Sequence, residues 1–161
     1  MTSFFVTVRA LHVLLGAIWL GVVILMSLFL VPSVQEAGPA GGAVMMALVR
    51  RKLDAFIASI AGITVLSGIW LYWVLSNGFD PAIAGTMRMR IVGLGGVLGL
   101  LAAIIGGSVV ARGMRRAIAL MKEGRMDEAA QLRRRAASAG RLVMVLVLLA
   151  ILCMTIGAHY V

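Results

Sequence analysis

Arg9-Ala10-Leu11-His12-Val13-Leu14-Leu15-Gly16-Ala17-Ile18-Trp19-Leu20-Gly21 opens the apolar run that decides the fold. From Ala10 to Val31 the chain carries 22 residues with no charge beyond any on His12. At ~1.5 Å per helical residue this run covers ~33 Å, enough for a hydrocarbon core of ~30 Å. Its apolar core is longer than the ~7–15 residues of a cleaved signal, so the reading is a retained membrane span. His12 lies about one turn inside that span. A charged group facing lipid costs ~2.5 kcal/mol or more, so His12 is expected to face the bundle interior and to do a job there.

Three further apolar runs follow, at about 55–75, 91–111 and 142–160. With 62% apolar and 13% charged residues and a mean hydropathy of +1.07, the composition excludes an ordinary soluble domain. The expected fold is all-α, a single polytopic domain over 1–161 built as a four-helix transmembrane bundle. The first span is expected to end at Pro32. The Gly- and Pro-containing stretch from Ser33 to Gly42 reads as a loop, with an amphipathic helical pattern from Ala43. The second span closes in Trp70, Tyr72 and Trp73, an interfacial aromatic belt, and Asn77-Gly78-Phe79-Asp80-Pro81 reads as a turn. The third span carries Gly95, Gly99, Ala103, Gly107 and Ala111 at every fourth position. Such a ridge lets two helices approach closely, within the bundle or against a membrane partner or second copy. Residues 112–141 read as two basic helical extensions joined near Gly124.

The charges set an orientation. The loops at 32–54 and 112–141 together hold twelve Lys or Arg, whereas the opposite side holds Arg9, Arg88 and Arg90. By the positive-inside rule the twelve mark the cytoplasm, so both termini are expected on the extracytoplasmic side of a bacterial-type inner membrane. The net charge of +9 thus reflects lipid and topology, and nucleic acid is not an expected partner.

Chemistry is sparse. The lone Cys153 excludes an internal disulfide, and no carboxylate lies inside a span. The two histidines, His12 and His159, fall at the same depth by residue count, near the outer face. In an up-down bundle the first and fourth helices are commonly neighbours, and bundle cores hold cofactors. Two imidazoles there suit the axial positions of a haem iron. Arg88 and Arg90 on the same side can pair with propionates, Gly16 leaves room for a flat macrocycle, and Trp19 can line it. Alternatively, His12 is satisfied by the hydroxyls of Thr155, Thr64 or Ser67. The eleven methionines raise copper as the runner-up metal, because thioether suits Cu(I), but their scatter along the chain predicts no tight cluster.

The sequence Arg9-Ala10-Leu11-His12 followed by Trp19 and Gly21, with Arg50-Arg51-Lys52-Leu53 before a run ending Ser67-Gly68-Ile69-Trp70-Leu71, resembles the membrane family that includes HemJ-type protoporphyrinogen oxidases and CopD copper-resistance domains. The resemblance covers the first two spans. It implies a four-helix membrane protein that binds haem b through His12, with electron transfer or a haem-dependent oxidoreductase step as its activity. A cofactor-free accessory subunit of a larger membrane complex and a copper-handling membrane protein are the rival expectations.

Overall fold

The computed structural model describes residues 3–159, and these contain helices and turns with no strand. Four helices are long and apolar enough to cross a membrane: α1 (Ser3–Glu36), α3 (Leu53–Leu75), α5 (Met87–Lys122) and α6 (Met126–His159). Between them lie α2 (Gly38–Arg50) and a one-turn α4 (Pro81–Ala84). α1 packs on α3, α3 on α5, α5 most extensively on α6, and α6 returns to α1. The central core draws on all four: Trp19 and Val23 from α1, Ile60 and Ala61 from α3, Ala102 from α5, and Val143 and Val147 from α6. The outward faces are covered in large apolar side chains, with Leu66 70% exposed and Val13 62% exposed. Water would oppose so continuous an apolar surface, and lipid does not. The chain is a multi-pass membrane protein.

The helices outrun their apolar stretches, and α1 departs from the expected end at Pro32. Its path widens into a π-helical turn over Leu25–Leu30, where the Val31 N–H bonds the Met26 carbonyl five residues back. Pro32 then sits in the first turn of a regular segment, Val31–Glu36, where its missing N–H has no bond to lose. The break falls instead at Gly38, whose φ of +57° lies in the left-handed region. Most of the stretch expected as a loop is therefore helix, and α2 starts at Gly38. Gly41 lets α2 fold back tightly, because a Cβ there would collide with the backbone carbonyl of Val34.

α5 and α6 run past the apolar region as a helical hairpin turning at Gly124 (φ +77°), with a small core of Ala117, Leu120 and Ala129. Arg125 clamps that turn to Glu128 at 2.6 Å and Glu123 at 3.3 Å. Tyr160, expected to finish the fourth span, lies outside the described residues. At the opposite end Asn77, Gly78 and Phe79 all take positive φ, and the turn is fixed by the fully buried Ser76. The Ser76 hydroxyl accepts from the Phe79 N–H at 3.0 Å. The Asp80 side chain then caps α4 by accepting from the Ala82 N–H at 2.9 Å.

The ridge of small residues on α5 divides. A Cβ on Gly95 would stand 2.8 Å from the Ala150 carbonyl oxygen of α6, whereas Gly99 and Gly107 have no atom that close. On α6 the buried contacts recur at Val143, Val147, Ala150 and Gly157, and Met154 reaches Gly95. Steps of four and three residues give the 3.5-residue period of a left-handed helix pair, not the strict four of the ridge. Gly95 is thus spent inside the bundle.

Candidate cofactor site at His12

His12 lies half-buried on the α1–α3 seam. Its Nδ1 is 2.9 Å from the Thr64 carbonyl oxygen and 3.1 Å from the Ser67 hydroxyl. A carbonyl only accepts, so Nδ1 carries the proton and donates it. The Ser67 hydroxyl donates to the Ile63 carbonyl at 2.7 Å, leaving its oxygen as a second acceptor for His12. In the neutral ring this leaves the lone pair on Nε2, which makes no hydrogen bond among the described residues. Histidines that ligate metals characteristically donate the other N–H to a backbone carbonyl or carboxylate in this way.

Gly68 makes the arrangement sterically feasible. A Cβ at this position would lie 2.8 Å from His12 Cε1, so the imidazole rests against bare backbone. Two turns toward the N-terminus on the same face of α1, Phe5 is buried and packs with Phe4 around Trp70, at ring-centre distances of 6.3 and 5.3 Å. These rings close the end of the α1–α3 seam nearest the start of α1. Thr64 contributes its carbonyl while its own buried hydroxyl has no hydrogen-bond partner among the described residues.

An unpaired hydroxyl in that environment costs about 1–3 kcal/mol. Thr64→Val is therefore expected to raise the stability of the cofactor-free protein by about that amount, read as a higher melting temperature in detergent. A lower melting temperature would show that the hydroxyl is satisfied in the membrane.

The remaining expected residues are dispersed. Gly16 faces the Thr64 methyl across the seam, with a built Cβ at 3.7 Å, an ordinary contact. Trp19 is 5% exposed in the central core. His159 is exposed at the end of α6, where its Nδ1 donates to the Thr155 carbonyl within the same helix at 2.8 Å. That bond also leaves Nε2 free. Arg88 and Arg90 are exposed at the start of α5 and form no salt bridge among the described residues. The structure therefore joins His12 to Thr64, Ser67 and Gly68 of α3, with no bond from the imidazole to α6. Of the three hydroxyls considered as partners, Ser67 is used, and Thr64 serves through its backbone instead. The role of Gly68 escaped the sequence reading, although the Ser67-Gly68 pair stands in the second-span stretch that carried the family resemblance.

Fold and site together define an all-α, polytopic membrane protein with a tethered histidine on an interhelical seam. Neither family models, nor curated proteins, nor solved structures give a match to this chain.

Proposed function

We propose that this protein binds b-type haem near the outer face of a bacterial-type inner membrane, with both termini extracytoplasmic, and serves electron transfer or a haem-dependent oxidoreductase step. The observation that carries this reading is the Nδ1–H bond of His12 to the Thr64 carbonyl, which fixes the ring and leaves Nε2 to bind a metal. Of the histidines, His12 would hold the iron through Nε2, and His159, exposed at the end of α6, would offer a second imidazole whose Nδ1 is likewise occupied. Arg88 and Arg90 have no carboxylate partner among the described residues and suit propionates. Gly16 and Trp19 belong to the same helix as His12, below it toward the core. When bound, haem supplies a one-electron couple; the chain holds the His12 proton on Nδ1, keeps the ring oriented against Gly68 and excludes water with the Phe4, Phe5 and Trp70 rings. Absorbance titration of the detergent-purified protein with haem tests the proposal.

A second reading, a cofactor-free accessory subunit of a larger complex, is favoured by one observation. Gly99 and Gly107 leave open space on α5 where another helix can approach.

A further inference from the structure

Five of the eleven methionines scattered through the sequence converge in space. Met45 and Met46 of α2 face Met114, Met121 and Met126 of the α5–α6 hairpin across a groove of about 230 Å³. Val31 and Val34, where the apolar run of α1 finishes, also line it. The polar residues on its wall are Gln35, Lys122 and Arg133, with no carboxylate. Lys122 and Arg133 form no salt bridge among the described residues. The groove is smaller than the ~300–1,000 Å³ of sites that enclose a whole small molecule. It is the size for part of a chain.

We propose that this groove holds one acyl chain of an anionic phospholipid from the cytoplasmic leaflet, with the lipid phosphate between Lys122 and Arg133. Three features select this occupant. Unbranched, polarizable methionine side chains adapt to a flexible alkyl chain. Two unpaired cations beside an apolar slot match a phosphate joined to hydrocarbon. The groove also lies where α2, an amphipathic helix with Val44 and Met46 exposed, meets the basic hairpin, the level at which headgroups and acyl chains adjoin. Bound there, the lipid ties α2 to the hairpin and fixes the basic end of the bundle.

Native mass spectrometry of the full chain in detergent, with added phosphatidylglycerol or phosphatidylcholine, tests the proposal. Wild type is expected to retain one phosphatidylglycerol and to prefer it about tenfold over phosphatidylcholine. Lys122→Gln/Arg133→Gln is expected to lose that preference. Gly42→Leu is a second, independent probe, because Gly42 lines the groove and a Cβ there meets nothing within 4 Å. The leucine fills the slot without a clash, so it is expected to keep the wild-type melting temperature and helix content while losing retention of either lipid. Equal retention by all three proteins would overturn the proposal. So would a Gly42→Leu variant that retains phosphatidylglycerol as wild type does, or glycerol phosphate displacing the bound lipid as well as intact phosphatidylglycerol does.

Discussion

A Gly95→Leu variant is expected to lose about 3 kcal/mol or more of stability, while Gly99→Leu, one turn along the same ridge, is expected to melt like wild type. The two glycines look equivalent in sequence and differ in what surrounds them. The Gly95 Cβ position is 2.8 Å from the Ala150 carbonyl oxygen, 3.0 Å from Met154 Cγ and 3.2 Å from Cys153 Cβ, whereas Gly99 has nothing within 4 Å. Backbone cannot swing aside as a flexible side chain does, so α5 and α6 must separate along the most extensive helix pair in the fold. Thermal unfolding in detergent measures the difference. Equal melting of the two variants would place the α5–α6 seam elsewhere.

The second large effect falls on His12 without touching it. Gly68→Ala puts a methyl group 2.8 Å from His12 Cε1, and the ring must tilt or move away from Thr64. The imidazole survives, but its Nδ1 proton loses the carbonyl that holds it. Loss of such an orienting partner typically weakens metal binding by about 10- to 100-fold. Gly68→Ala is therefore expected to weaken haem binding by about that factor, read in a haem titration. Gly62→Ala, on the same helix and with nothing within 4 Å of its Cβ, is expected to leave affinity unchanged. Unaltered binding in Gly68→Ala would mean that the orientation seen on the α1–α3 seam is not the one that binds.

The contrast between these positions shows how much the sequence discloses. Hydropathy reveals the spans because length and composition alone decide whether a helix can cross lipid. The turns at Asn77–Asp80 and Gly124 are legible because Asn77, Gly78 and Gly124 tolerate positive φ, whereas the positive φ of Phe79 is not legible from its type. Rotation about each helix axis is not legible. A span that is apolar on every face, as the central stretches of α1, α3 and α5 are, carries no stripe to say which side meets which neighbour. That is why the four-residue ridge on α5 suggested one seam while contacts follow a three-and-four pattern through Gly95 and Ala102. It is also why the sequence leaves His12 between a partner on α6 and the second-span residues Thr64 and Ser67, and the fold brings it to the latter. The methionine groove was hidden for a different reason: its walls come from α2 and the hairpin, about 70 residues apart, and only folding brings them together.

The account rests on Nε2 of His12 serving as a ligand to haem iron. Absorbance spectra of wild type and His12→Ala, purified from cells supplied with excess haem and recorded oxidised and dithionite-reduced, address this most directly. The expected result is a Soret band in wild type that shifts on reduction and disappears in His12→Ala, with helix content preserved in both. A colourless wild type, or a Soret band identical in the two proteins, would contradict it.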